Sequence, residues 1–272
     1  MQKRIAMIGG GNMAAALVAG LVANGVEGAM IDVLDRNECK CERLHQEYGV
    51  NAYLTAGDWL KEADVVVLAV KPQGLSMTIA SIKHLFKAGA LFISIAAGIR
   101  IADISRWLGS MRIVRAMPNT PALVKAGVVG LYVPSTLDKV DYEASYEIVS
   151  AMGEVVSVTS EQQLDLVSTI SGSGPAYVFR FIEALEAAAV RRGFDPEGAR
   201  RMAIMTVVGA GKLASLSEEP PAKLRENVTS KGGTTAEALR VMQEHDFMGM
   251  MDEAIQAAFD RNQELADELG KA

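Results

Sequence analysis

The sequence predicts an α/β protein: a doubly wound parallel sheet over residues 1–160, then an all-α C-terminal domain over residues 161–272. Short β-branched runs alternate with helical stretches as far as Ser160. Several of these runs are apolar without alternation, as strands covered on both faces must be. Beyond Ser160 the strand pattern stops. Alternating β and α segments imply parallel strands joined by helices on both sides of the sheet.

The strands are expected at Arg4–Ile8, Met30–Leu34, Val65–Val70, Leu91–Ile95, Arg112–Ala116, Val128–Val133 and Val155–Val158. Between them, Met13–Asn24, Glu38–Tyr48, Asp58–Ala63, Leu75–Phe86 and Leu137–Met152 read as helices. Ala-, Leu-, Met- and Glu-rich segments with helical spacing then cover 161–170, 175–193, 196–215, 221–229, 235–245 and 248–269. Ser160 and Gln163 have the spacing of a capping box. Asp195 followed by Pro196 is a helix start, with the carboxylate as cap and proline at the first helical position. Met242, Met248, Met250 and Met251 suit a core or a subunit interface.

Of 272 residues, half are apolar and 22% charged, which excludes a disordered chain. The net charge is −6, and residues 1–160 carry 15 basic and 15 acidic groups, so the whole excess lies after them. Neither part offers a basic stripe, which argues against a nucleic-acid partner. No apolar stretch approaches the ~20 residues of a membrane span, and the N-terminus reads directly into a strand rather than a secretory segment. Cys39 and Cys41, the only cysteines, make no disulfide framework and fit a reducing cytoplasm. His45, His84 and His245 converge with no further ligands, so no metal site is expected.

The clearest local signal is Gly9-Gly10-Gly11-Asn12-Met13-Ala14, a G-x-G-x-x-A turn after the first strand. Gly9 permits the tight turn, Gly11 lets the backbone approach a pyrophosphate, and Ala14 lets the helix lie close to the sheet. The helix start offers free N–H groups and about half a positive charge to the anion. Asp35, at the end of the second strand, is the acidic residue this Rossmann-type fingerprint requires. Its carboxylate would bind an unphosphorylated ribose and favour NAD, or turn away to cap the next helix. Arg36 would bind a 2′-phosphate and favour NADP. The balance favours NADP(H), with NAD(H) left open. Ala69-Val70-Lys71-Pro72 and Ala96-Ala97 follow later strands, at the end of the sheet where ligands bind in this architecture.

Two glycine-rich turns interrupt the helical domain, Ser171-Gly172-Ser173-Gly174-Pro175-Ala176-Tyr177 and Lys231-Gly232-Gly233-Thr234-Thr235. The second precedes a helix, so its N–H groups could hold a carboxylate. Thr234 and Glu237 also have capping-box spacing, which gives Thr234 an ordinary alternative as a cap.

Over its whole length the chain resembles the pyrroline-5-carboxylate reductase family. The resemblance is carried by the first glycine turn, Ala69–Pro72, Arg115-Ala116-Met117-Pro118-Asn119-Thr120-Pro121, the Ser171–Tyr177 turn and Gly232-Gly233-Thr234-Thr235. It implies NAD(P)H-dependent reduction of 1-pyrroline-5-carboxylate to L-proline, and a homodimer interlocked through its helical domains, with rings of dimers in some members. It implies that Gly233, Thr234 and Thr235 hold the product carboxylate and that the Thr235 hydroxyl, the catalytic candidate, approaches the ring nitrogen. It further implies that Glu161 and Glu218 lie near the substrate and that Asn227 reaches the cofactor. Read without it, Glu161 is a first-turn helix residue and Glu218 a solvated one. The sequence departs from the family at Ala56, where many members carry an asparagine near the adenosine ribose. Two other readings remain at this point: a β-hydroxyacid dehydrogenase, which needs a lysine that does not follow the Ser171–Tyr177 turn, and a non-catalytic nucleotide-binding redox sensor.

Overall fold

The computed structural model describes residues 3–271. Strands β1 (Ile5–Ile8), β2 (Ile31–Leu34), β3 (Asn51–Tyr53), β4 (Val65–Leu68), β5 (Leu91–Ser94), β6 (Ile113–Pro118), β7 (Gly127–Tyr132) and β8 (Gly153–Val158) form one sheet, in the order β3-β2-β1-β4-β5-β6-β7-β8. Helices α1 (Asn12–Ala23), α2 (Glu38–Tyr48), α3 (Pro72–Ile82), α4 (Ile101–Leu108) and α5 (Lys139–Val149) connect them. β1 lies centrally, with Ile5 opposite Ile31 on one side and Val65 on the other.

Side chains alternate faces along a strand, so burial of both faces requires uniformly apolar strands. Ile5, Met7, Val65, Val67 and Ile93 enter one core, against α1. Ala6, Ile8, Val66, Leu68 and Phe92 enter the other, with Leu75 and Ile79 of α3. α1 approaches so closely that a Cβ on Gly20 would run into the carbonyl of Ala151.

The structure corrects the expected pattern in several places. β3 and α4 were not expected from the sequence. Asp58–Glu62 is a 3-10 turn rather than an α-helix. β4 ends at Leu68, which leaves Ala69 and Val70 in a turn. The sheet is not wholly parallel, because β7 runs antiparallel to β6. Their connection is too short for a parallel crossover, which needs a dozen or more residues.

From Glu161 onward the chain is helical: α6 (Glu161–Val167), a π-helical turn (Ser168–Gly172), α7 (Gly174–Val190), α8 (Pro196–Leu216), α9 (Pro221–Asn227), α10 (Thr234–Glu244) and α11 (Phe247–Leu269). Both expected helix starts form: Ser160 Oγ accepts from Gln163 N at 3.1 Å, and Asp195 Oδ1 from Gly198 N at 2.8 Å. Gln163 reaches back to the N–H of Thr159 at 2.8 Å, one residue before the usual capping-box partner.

Packing divides the chain into two units. One runs to Ser173 and takes in the C-terminal stretch from Ala258; the other is Gly174–Ala257. Helix α6 goes with the sheet, because Leu164 is fully buried and, with Val167, presses on Gly130 of β7. The change from strand to helix at Ser160 therefore precedes the division in packing. In the second unit α7 and α8 lie side by side, joined by Arg200 and Glu186 at 3.1 Å. Phe179, Met205, Leu213 and Leu216 remain exposed, and an apolar groove of about 1080 Å³ runs past Phe181, Phe247 and Met250. Gly20→Ala is expected to destabilise the sheet unit by about 1–3 kcal/mol through overpacking, measured as a lower Tm.

Candidate active site

Three consecutive strands of the sheet, β1, β4 and β5, end in the turns expected to carry a ligand. Ala69 N donates to Ile8 O at 2.9 Å and Ile95 N to Leu68 O at 3.2 Å, so the turns stand side by side. Gly9 has φ +109°, in the region that favours glycine, and a Cβ there would lie 2.8 Å from the Ala69 carbonyl oxygen. Gly11 caps α1 without any side-chain hydrogen bond, and a Cβ on it would meet nothing within 4 Å. The first-turn N–H groups of α1, from Asn12 and Met13, have no carbonyl inside the helix to accept them. No acidic residue opposes an anion in that turn. Ala14 is fully buried against the sheet. The turn therefore fits a dinucleotide pyrophosphate: open space in front, uncapped donors behind.

Asp35 is engaged inside the protein. Its Oδ2 accepts from Gly10 N at 2.8 Å and its Oδ1 from Asn37 N at 2.9 Å. Burial would push the carboxyl up; the Asn37 and Gly10 donors, with Lys40 at 3.5 Å, outweigh it and hold the group below the usual carboxylate range. The cap of α2 is Asn37, which accepts from Lys40 N at 3.1 Å, so Asp35 is not the cap. Arg36 is exposed and has no hydrogen bond or ion pair to a described residue. Lys71 is exposed beside Pro72, the first residue of α3. Ala96 is buried while Ala97 faces outward.

Glu161 is also engaged. Its Oε1 accepts from Ile101 N at 2.9 Å and from Arg115 Nη1 at 2.7 Å. Arg115, on β6, is only 1% exposed, and its Nη2 reaches Asp165 Oδ1 at 3.3 Å. Gln263 Nε2 donates to Asp165 Oδ2 at 3.0 Å. Asn119 joins two of the signature turns: it donates to Ser171 O at 3.0 Å and accepts from Val128 N at 2.9 Å. Sequence reasoning assigned Arg115 and Asn119 no role. A lone arginine in the apolar run Ile113-Val114-Arg115-Ala116-Met117 was the available signal of a buried ion pair.

The second unit carries the remaining candidates. α10 begins at Thr234 with Gly233 as its cap residue and no side-chain cap. The capping box open to Thr234 does not form, since Glu237 pairs with Arg240 at 2.6 Å instead. Gly233 N is taken by Ser230 O at 3.0 Å. The N–H groups of Thr234 and Thr235 have no acceptor inside the helix, and neither threonine hydroxyl bonds a described residue. Glu218 is exposed. Asn227 Nδ2 donates to Glu219 Oε2 at 2.7 Å.

A strand, a glycine turn and an uncapped helix at the head of a largely parallel sheet define a dinucleotide-binding protein of the Rossmann type. Comparison with known proteins narrows this. Residues 161–265 match the family described as pyrroline-5-carboxylate reductase dimerisation, and residues 4–98 the family described as NADP oxidoreductase, coenzyme F420-dependent. A pyrroline-5-carboxylate reductase of Pseudomonas aeruginosa is 39% identical over 269 residues, covering 98% of each chain. A solved structure of a pyrroline-5-carboxylate reductase from Coxiella burnetii superposes with a TM-score of 0.92 at 39% identity, covering 97% of this chain and 99% of that one. The Plasmodium falciparum pyrroline carboxylate reductase, solved with NADP bound, gives 0.83 at 27% identity, over 97% and 98%. The chain belongs to the pyrroline-5-carboxylate reductase family.

The lowered Asp35 ionisation makes a pH-dependent prediction. The stabilisation it brings is fully present above its ordinary value, about pH 4, and is lost as pH falls through the folded value. Asp35→Asn should therefore lower Tm at pH 7, with the deficit closing below about pH 4.

Proposed function

We propose that this chain reduces 1-pyrroline-5-carboxylate to L-proline with NAD(P)H. The reading rests on the start of α10, where two N–H groups have no acceptor within the helix and two hydroxyls bond no described residue, in a chain that matches these reductases from end to end. The substrate carries one carboxylate and one ring nitrogen, and the threonine pair has a donor for the first and a hydroxyl for the second.

Bound NAD(P)H supplies the hydride. The protein's own tasks are positioning and charge. The α10 N–H groups of Thr234 and Thr235, with the helix dipole, hold the carboxylate. An imine accepts hydride best when its nitrogen is protonated, and the iminium N–H can donate to the Thr235 hydroxyl oxygen. Hydride addition to the ring carbon then leaves the secondary amine of proline, and no strong base is required. Gly9, Gly11, Asn12, Met13 and Ala14 hold the pyrophosphate; Ala69, Val70, Lys71, Pro72, Ala96 and Ala97 line the rest of that edge. Glu218 and Asn227 keep the roles the family resemblance implies, near the substrate and the cofactor.

NADPH is the favoured cofactor. With both Asp35 oxygens accepting from backbone N–H groups, Arg36, which pairs with no described residue, is placed to bind a 2′-phosphate. The match to a dimerisation family over residues 161–265 indicates a homo-oligomer. We take residues 161–272 as the substrate-binding and dimerisation part, assembled as dimers and rings of dimers, a size that light scattering resolves. The cytoplasm suits the free thiols of Cys39 and Cys41.

Initial rates with pyrroline-5-carboxylate and each reduced nicotinamide test the reading directly; turnover of a hydroxyacid but not of the imine would overturn it. Thr235→Ala should lower kcat about tenfold or more, the scale of one lost transition-state hydrogen bond, with NADPH affinity unchanged. Arg36→Ala should raise the KM for NADPH by about tenfold or more and leave that for NADH unaltered.

A further inference from the structure

We infer that Glu161 is a positioning residue for the dinucleotide: by holding the start of α4 it fixes the β5–α4 loop, and it does not bind the imine. The inference deepens the reading above and rests on it.

The loop runs from Ile95 to Arg100 at the carboxyl end of β5, beside the Gly9 and Ala69 turns. That edge is where an open α/β sheet binds its ligand. Within the loop Ala96 and Ile99 are buried and Ala97 alone is exposed, so Ala97 is the residue offered outward. Ala97 has no polar side chain with which to fix itself; its place is set by its buried neighbours Ala96 and Ile99 and by what holds the loop's two ends. One end is the last residue of β5, whose Ser94 hydroxyl accepts from Ala96 N at 3.4 Å. The other end is α4, and there the sequence supplies no cap. The residue before α4 is Arg100, whose side chain cannot accept a hydrogen bond, and α4 has no side-chain cap from its own segment.

Glu161 supplies that cap from another helix. Its Oε1 accepts from Ile101 N, the first N–H of α4, at 2.9 Å. Its charge also meets the positive end of the helix dipole. The same oxygen accepts from Arg115 at 2.7 Å, and Arg115 is anchored on its far side by Asp165. The circuit closes through Gln263, which bonds Asp165 at 3.0 Å and accepts from Arg100, the loop's last residue, at 3.5 Å. Sharing Oε1 between a helix N-terminus and a buried guanidinium fixes the carboxylate to α4 and β6, and the imine KM tests whether Oε2 meets the substrate as well.

The test measures NADPH affinity by fluorescence titration, which needs no turnover, together with the KM for the imine. Glu161→Ala should weaken NADPH binding by about tenfold, the scale of one charge-assisted hydrogen bond, with the imine KM changed by less than about twofold. Glu161→Gln keeps an oxygen for Ile101 N–H and should restore affinity to within about threefold of wild type. Asp141→Asn removes the buried partner of Arg112 at the opposite end of β6. It should lower Tm and leave NADPH affinity alone, which separates loop positioning from general destabilisation. Unchanged NADPH affinity in Glu161→Ala, or a large rise in imine KM in either Glu161 variant, would overturn the proposal. If Glu161→Ala does not fold, Glu161→Gln decides by the imine KM. A wild-type protein that binds NADPH but turns over no imine would instead defeat the functional reading and leave the affinity comparison intact.

Discussion

A guanidinium buried to 1% exposure must be paired, because an isolated charge in the interior costs far more than folding can return. Arg115 meets that demand with Glu161 and Asp165, four residues apart on one face of α6. The consequence is architectural. α6 follows the last strand, yet its two carboxylates tie it to the sheet, and Gln263 extends the tie to the end of α11. The packing boundary therefore falls after Ser173 and not where the strands end. The ion pairs of Arg115 act with the packing of Leu164 and Val167 on Gly130 to keep α6 with the sheet.

Two helix starts keep their backbone donors without a side-chain cap. α1 and α10 both begin after a glycine, and both lack a side-chain cap. A capped helix has already satisfied some of its free donors; an uncapped one keeps them for a ligand. The carboxylate site proposed at α10 is thus compatible with a net charge of −6 carried wholly by residues 161–272. Such a site would act through N–H groups within hydrogen-bond reach, whereas distant surface carboxylates are screened over roughly 8–10 Å at physiological salt.

The parts of this structure legible in the sequence are those set by local rules. Uniformly apolar strands revealed the two-sided core, and Gly9, Gly11 and Ala14 revealed the turn, because each answers a steric demand at its own position. β3 was missed because Asn51-Ala52-Tyr53 is three residues long and only half-buried. The antiparallel β7 was missed because direction depends on connection length rather than composition. Side-chain assignments fared differently. Whether Asp35 faces a ribose or its own loop depends on the fold around Gly10. The partners of Arg115 lie 46 and 50 residues away, and no local pattern points to them. Thr234 and Glu237 have the capping-box spacing, yet the box does not form, because Arg240 takes Glu237 and Gly233 occupies the cap position.

The second unit shows that stability and assembly are one problem here. α7 has 17 residues and none of them is buried, while α8 buries only Ala199 and Ala203. Helix propensity alone leaves such segments marginal in water, and most helical stability comes from burying an apolar face. Phe179, Met205, Leu213 and Leu216 are apolar side chains of that kind left open. Their burial against another copy, as the match to a dimerisation family indicates, would contribute to folding and association at once. The start of α10, proposed above to hold the carboxylate, lies in this same unit.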